Sequence, residues 1–255
     1  MKNTLYNQLF IFCIATLFVA CVSPKKMVYF QDIEGVEMSE TIVNYEPKIQ
    51  VGDLLSINVS AIDGEAAMPF NLYETPMIGG AASNAKPLTY LVNTDGEINF
   101  PVLGAMKVAG LSTKIIATDL TKTLAAYLKS PIVNIRLTNF KVTVLGEVKV
   151  PGSYTVPNER ISIIEAIGLA GDLTIQGRRS TVLLIREQEG ERKFVTIDLT
   201  NKKLFNSPYF YLAQNDVIYI EPNKTKLNSS VVGSNTGVIL SSVSILITLI
   251  TLLTR

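Results

Sequence analysis

Few residues of this chain could carry out chemistry, and the commonest are missing. There is no histidine among the 255 residues. That removes the usual general base, the usual metal ligand and every Ser-His-Asp or Cys-His arrangement. The two cysteines, Cys13 and Cys21, both lie near the N-terminus, so a zinc site would need carboxylates alone. The acids available to a carboxylate-based glycosidase are Asp53, Asp95, Glu147, Asp172 and Asp216. All five sit in turn or strand-end contexts such as Gly52-Asp53, Asp95-Gly96 and Gly171-Asp172, where an acid commonly bonds its own backbone. The residues therefore give no catalytic group, no cofactor-binding group and no metal ligand.

Charge and aromatic content narrow the classes further. Twenty-three basic residues face twenty-two acidic ones, for a net charge of +1. Such a balance offers no basic face to nucleic acid. There is no tryptophan, so aromatic recognition of a sugar would fall to the ten tyrosines and ten phenylalanines.

The remaining reactive group is Cys21. Lys2 supplies a positive start, Leu9 to Ala20 forms an apolar run too short to span a bilayer, and small Ala20 precedes Cys21. This arrangement resembles a bacterial lipoprotein signal, with residues 1–20 removed and Cys21 acylated as the first mature residue. Phe18 stands where such signals usually carry leucine, and Leu17 lies one place further out. The other reading is an uncleaved N-terminal anchor. Several acyl chains on Cys21 would anchor the protein stably. With Cys13 removed and Cys21 lipidated no disulfide forms, so the exported chain must rely on a hydrophobic core.

At the other end, Ser230, Ser234, Gly237, Ser241, Ser244, Thr248, Thr251 and Arg255 recur at steps of four and three. That spacing predicts one stripe of an α-helix over residues 231–254, with aliphatic residues over most of the remaining surface. Such a helix would be about 36 Å long, enough to cross a bilayer. Small and hydroxyl residues let membrane helices pack closely. Alternatively, a ring of such helices would turn Ser234, Gly237, Ser241, Ser244, Thr248 and Thr251 toward water. Either reading asks for self-association or a partner helix.

Between the ends, residues 21–42 are a polar tether. Leu55, Ile57 and Val59 alternate as a half-buried strand headed by a Gly52-Asp53 turn. Gly64 to Pro87 is an inserted loop rich in glycine, proline and small residues. Asp95-Gly96 predicts a hairpin between 89–92 and 97–100. Residues 101–104 and 107–111 follow as short extended pieces. Ser112 or Thr113 caps a helix to about Lys129, buried through Ile116, Leu120, Leu124, Tyr127 and Leu128, and Ile132 to Leu137 is a strand. A second unit begins at Phe140. It has Val142 and Val144 in a strand, a Pro151-Gly152 turn and an extended piece from Ser153 to Val156. A Ser162–Glu165 capping box opens a short helix with Ile163, Ile164, Ile167 and Leu169, closed by Gly171. Strands over 182–186 and 193–198 flank a charged turn, and a last strand over 217–220 stops at Pro222.

The order of these motifs resembles a known family. Residues 45–59, the Asp95-Gly96 turn, Phe100-Pro101, Val108 to Leu111 and Ser130 to Val133 are similar to the polysaccharide export domain of capsule and exopolysaccharide translocons. Val144 to Val148, Pro151 to Tyr154, Ala166 to Asp172, Arg186 and Asn215 to Ile218 are similar to the soluble-ligand-binding β-grasp (SLBB) domain that follows it there. The resemblance implies an α+β fold, with an export domain over 43–138, an SLBB β-grasp domain over 139–222 and a C-terminal amphipathic transmembrane helix. It implies a Wza-like outer-membrane lipoprotein that assembles as a homo-oligomeric ring, mostly periplasmic. Its helices would form a barrel through which polysaccharide passes, above an inner-membrane polysaccharide co-polymerase that is often a tyrosine kinase. The chain departs from larger members by holding one β-grasp repeat and by its 64–87 insertion. The competing class is a lipid-anchored periplasmic scaffold that binds glycan or protein and has no pore.

Overall fold

Alternation of Leu55, Ile57 and Val59 produces the strand that organises the first half of the molecule. In the computed structural model, which describes residues 28–32, 45–73, 87–188, 190–231 and 236–253, β1 (Leu54–Ser60) buries these three side chains. Strand β2 (Tyr90–Leu91) pairs with it on one side and β5 (Ile132–Leu137) on the other, both antiparallel. A two-stranded ribbon of β3 (Glu97–Phe100) and β4 (Gly104–Lys107) stands beside this sheet. Helix α2 (Thr113–Leu124) covers it with Ile116, Leu120 and Leu124. Together with Phe100, Ile98, Val108 and Leu128 these residues make the first core.

Several expectations change here. The chain does reverse at Asn93–Glu97, where the Asn93 amide donates to the Glu97 carbonyl, but β2 ladders with β1 and the hairpin is β3–β4. The Asp95-Gly96 turn is a link between two sheets, because burying both Tyr90 and Ile98 sends their strands to different partners. Ser112 caps α2 as expected, its Oγ accepting from the Ile115 amide at 3.4 Å. The helix stops at Leu124, and tight turns continue to Ser130. Tyr127, expected in the buried face, is exposed, since the path tightens before it and leaves Leu128 to point inward. At the head of the 64–87 insertion, Asp63 caps a one-turn helix α1 (Gly64–Ala67), followed by a 3-10 turn over Met68–Phe70 that buries Phe70. Residues 74–86 lie outside the described residues.

The second half is a five-stranded sheet in the order β7-β6-β10-β8-β9. Its strands are β6 (Lys141–Gly146), β7 (Gly152–Thr155), β8 (Gly177–Gln188), β9 (Glu191–Ile197) and β10 (Val217–Pro222). Only β6 and β10 run parallel. Helix α3 (Ile163–Leu169) closes one face with Ile163, Ala166 and Ile167. Its capping box is complete: the Ser162 amide donates to Glu165 Oε2 at 2.7 Å and the Glu165 amide to Ser162 Oγ at 3.2 Å. Leu169 is exposed at the helix end. Strands β8 and β9 are longer than the alternation suggested. Glu187, Gln188, Glu191 and Arg192 form ladder pairs, so the turn shrinks to the residues around Gly190. Fully burying each Leu, Ile or Val of this core contributes roughly 1.5–3 kcal/mol.

The C-terminal expectation is corrected as well. Helix α4 (Lys224–Val231) starts directly after β10, ahead of the helix expected over 231–254, with Asn223 Oδ1 accepting from the Lys226 amide at 2.9 Å. Helix α5 (Thr236–Leu253) follows. Residues 232–235 lie outside the described residues. Eighteen residues of α5 span about 27 Å at 1.5 Å each. Among the described residues no helix is long and apolar enough to cross a membrane.

Candidate functional site

The two halves meet along a groove centred on Tyr45. Its ring stacks on Tyr211 at 5.3 Å and its hydroxyl donates to the Leu212 carbonyl at 3.3 Å. The Arg160 guanidinium lies 4.8 Å from the Tyr211 ring centre. On one side of Tyr45 is a cavity of about 680 Å³, walled by Lys48, Ile49 and Gly110 from the first half and by Arg186, Gln188 and Ala213 from the second. A smaller one of about 270 Å³ on the other side is lined by Ser112, Lys114, Glu159 and Arg160. Burial pushes the Tyr45 hydroxyl above its ordinary value, against the pull of Arg186. The groove mixes both signs of charge, with Lys48, Glu46 and Arg186 on its larger cavity and Lys114, Glu159 and Arg160 on the smaller.

Behind the groove lies a buried ion pair. Arg186 Nε contacts Asp216 Oδ1 at 3.0 Å, and Nη2 contacts Oδ2 at 2.7 Å. Asp216 is fully buried and also accepts from the Ala213 amide at 2.8 Å. Arg186 Nη2 reaches the Tyr211 carbonyl at 2.9 Å, and Tyr209 lies under its guanidinium. Burial raises the Asp216 carboxyl, opposed by Arg186. Burial also works against the guanidinium's charge, but the bonds to Asp216 outweigh it and Arg186 lies above its usual value. The carboxylate is fully engaged, so the pair fixes the 211–216 turn on β8 and leaves no free base. Sequence reasoning quoted both residues and missed their pairing. Arg186 shares a strand parity with buried Val182 and Leu184, and a cation on that face needs a buried anion.

The other acids are dispersed. Asp53 Oδ2 accepts from the Gln50 amide at 2.8 Å, the local turn bond expected of it. Its other oxygen is buried without a hydrogen-bond partner, and burial pushes the carboxyl up to about 6. Asp172 accepts the Tyr29 hydroxyl at 2.5 Å, and Glu147 accepts from Thr174 Oγ1 at 2.8 Å. Among the described residues no group of three or more potential metal ligands converges.

The stripe residues Gly237, Ser241, Ser244, Thr248 and Thr251 lie on α5 and are exposed. Their hydroxyls turn back onto the helix: Ser241 donates to the Gly237 carbonyl at 2.7 Å, Thr248 to Ser244 at 2.8 Å and Thr251 to Ile247 at 3.0 Å. Satisfied hydroxyls of this kind suit lipid, a helix partner or water. Ser234 and Cys21 lie outside the described residues. The tether does not remain free along its length. Residues 28–32 are seated on the second half, with the Phe30 and Gln31 amides donating to the Leu199 and Thr200 carbonyls.

Comparison with known proteins gives concordant matches. A family model described as "Polysaccharide biosynthesis/export protein" matches residues 42–138, and an SLBB domain model matches 141–196. The chain is similar to the EPS I polysaccharide export outer membrane protein EpsA of Ralstonia solanacearum, 26% identical over 75% of this chain and 52% of that relative. Its counterpart from Ralstonia nicotianae is 32% identical over 60% of this chain and 42% of the relative. The chain thus spans about half the length of the curated relatives it matches.

Proposed function

We propose that this chain, which belongs to the polysaccharide export proteins by its two matched domains, is a subunit of an oligomeric outer-membrane channel for capsular or extracellular polysaccharide. Its place is the outer membrane, the location named for both relatives. Cys21 carries the lipid, the body over 43–222 is periplasmic, and the α5 helices of several copies form a barrel. The carrying observation is the helix that follows the two domains. Its exposed aliphatic residues, among them Ile245, Leu246, Leu249 and Leu252, share α5 with the row of Gly237, Ser241, Ser244 and Thr248. Eighteen residues are close to the lower limit for a span, and the bacterial outer membrane is thinner than average. A lone helix gains nothing from a hydroxyl row, whereas a ring turns it inward and the aliphatics toward lipid. An inner-membrane co-polymerase, often a tyrosine kinase in this family, is the docking partner below.

A conduit needs a lumen that does not hold its cargo tightly, and polysaccharide passes as a hydrated chain through hydroxyls rather than onto aromatic platforms. This accords with a family of transport and scaffold proteins. The back-bonded hydroxyls of α5 favour a second reading, a lipid-anchored scaffold whose helix packs without a pore. Electron microscopy of the detergent-extracted full chain beside one ending at Pro222 tests the proposal. Rings with a helical barrel that disappear on truncation are the expected result. Monomers or dimers from both chains would leave the scaffold.

A further inference from the structure

The larger cavity beside Tyr45 has an unanswered cation in its wall. Arg186 is only 7% exposed, and its Nε and Nη2 are taken up by Asp216 and the Tyr211 carbonyl. Among the described residues Nη1 has no hydrogen-bond partner, and Arg186 lines the cavity of about 680 Å³. A buried guanidinium N–H that meets no protein acceptor is costly unless an acceptor comes from the cavity itself.

The other charges around this cavity are answered unequally. Glu46 pairs with Lys114 at 3.7 Å and Glu187 with Arg192 at 3.1 Å, and neither of those cations lines the cavity. Lys48 does line it, and makes no ion pair among the described residues. Two acids are thus met from outside, while two cations, one from each half of the molecule, are left for an occupant. That occupant is an anion. The outer ion pairs are exposed and weak, so Glu46 and Glu187 still oppose a second negative charge. A single carboxylate fits this balance better than a doubly charged phosphate.

The rest of the wall suits a sugar. Gln50 and Gln188 line the cavity with no side-chain partner among the described residues, and each amide offers both donors and an acceptor to hydroxyl groups. Ile49 and the Tyr45 ring supply apolar surface for the C–H face of a pyranose. The volume lies in the range of small-molecule sites, roughly 300–1,000 Å³, which favour domain joints.

We propose that this cavity binds a carboxylate-bearing sugar unit, a uronic acid residue, with its carboxylate held by Arg186 and Lys48 and its hydroxyls by Gln50 and Gln188. The proposal rests on the reading of the chain as a polysaccharide export subunit and adds the class of polymer, an acidic one. One unit held by two cations is gripped weakly enough for a polymer to move on.

The test is ligand-observed saturation-transfer NMR on the detergent-extracted full chain, titrated with digalacturonate, its neutral carboxyl-reduced counterpart and acetate. Digalacturonate should bind about tenfold more tightly than either of the others, the worth of one charged hydrogen bond. Lys48→Gln removes a side chain that bonds nothing in the protein and should abolish that preference. Arg186→Lys keeps a cation for Asp216 but removes the free corner, and should do the same; if it fails to fold, Lys48→Gln still decides. No binding of digalacturonate, or equal binding of its neutral counterpart, would overturn the proposal. Acetate held as tightly as digalacturonate would overturn the sugar and leave a bare carboxylate site. A preference indifferent to both variants would place binding elsewhere and overturn the assignment. Rings in electron micrographs without digalacturonate binding would sink this proposal alone, whereas binding without rings would support the site and remove the channel.

Discussion

Arg186 and Asp216 illustrate how much a single residue pair can decide. Removing Arg186 leaves a carboxylate in the core with only the Ala213 amide for company, a loss of about 3–5 kcal/mol for a broken buried pair. Arg186→Ala should therefore shift the urea midpoint sharply, and Arg186→Met with Asp216→Leu should recover much of the loss. A double variant as weak as the single would mean the pair is not the cause. At Asp53 the burial is left uncompensated at one oxygen. Its folded value of about 6 lies above the ordinary 3.8, so the folded state holds the proton more tightly and stability falls as pH rises from about 4 to 6. The difference corresponds to about 3 kcal/mol, absent at low pH and fully felt above 6. Asp53→Asn should flatten that slope and raise stability at pH 7, read from denaturant melts across the range. A slope of unchanged size would show that Asp53 does not titrate there. The local role of Asp53 was legible, because Gly-Asp turns bond their own backbone. Its orphaned oxygen was not, since burial of a turn depends on strands far away in sequence.

At the scale of elements, glycine placement and strand parity set the result. Gly146 ends β6 with φ of +92°, and a Cβ there would stand 2.0 Å from the Ile220 carbonyl oxygen of β10. Gly146→Ala must force the one parallel strand pair apart. It should cost about 3 kcal/mol or more through backbone strain and lost ladder bonds, seen as loss of cooperative unfolding of the SLBB half. A stability within 1 kcal/mol of the parent would place the strand pair differently. Elements with strong local signals were readable in advance: β1 and β5 by alternation, α3 by its capping box. The β2–β3 hairpin was misread because a Gly-containing turn reports where the chain reverses but not which strand each arm joins. The α2 end was overrun for a related reason. Pro131 marks the last position a helix could reach, while the tight turns after Leu124 obey the need to bury Leu128. On α5, Ser241→Leu, Ser244→Leu and Thr248→Leu together should abolish export if the row faces water, and leave protein levels unchanged. Normal export by the triple variant would remove the pore-lining role.

For the whole molecule, the question is what makes two cores act as one body. Asn139, between β5 and β6, answers in part: Oδ1 accepts from the Leu54 amide at 2.9 Å, Nδ2 donates to the Gly52 carbonyl at 3.1 Å, and its own carbonyl accepts from Gln214 at 2.8 Å. One residue, through its side chain and its backbone carbonyl, thus ties the head of β1 to the turn that carries Asp216. Tyr45 on Tyr211 adds a second tie across the groove. Neither was visible in the sequence, where Asn139 reads as the first residue of the second domain and Tyr45 as the start of the first organised stretch. Joints of this kind are made by backbone groups that no local pattern marks. Asn139→Ala removes two bonds to backbone groups, one part-buried and one exposed, about 1–3 kcal/mol in all. Because the loss falls on the joint, neither core should melt alone at lower denaturant than before by more than that amount, but the two should part. The expected outcome is one unfolding transition in the parent and two resolved transitions in Asn139→Ala, followed by fluorescence and by amide exchange at Leu54. If the halves are held instead by Tyr45, Asn139→Ala keeps a single transition and Tyr45→Ala splits it. If the proposed ring forms, domains that part in a subunit would let it flex at the groove, so the variant that splits the melt is the one expected to blur the body of that ring.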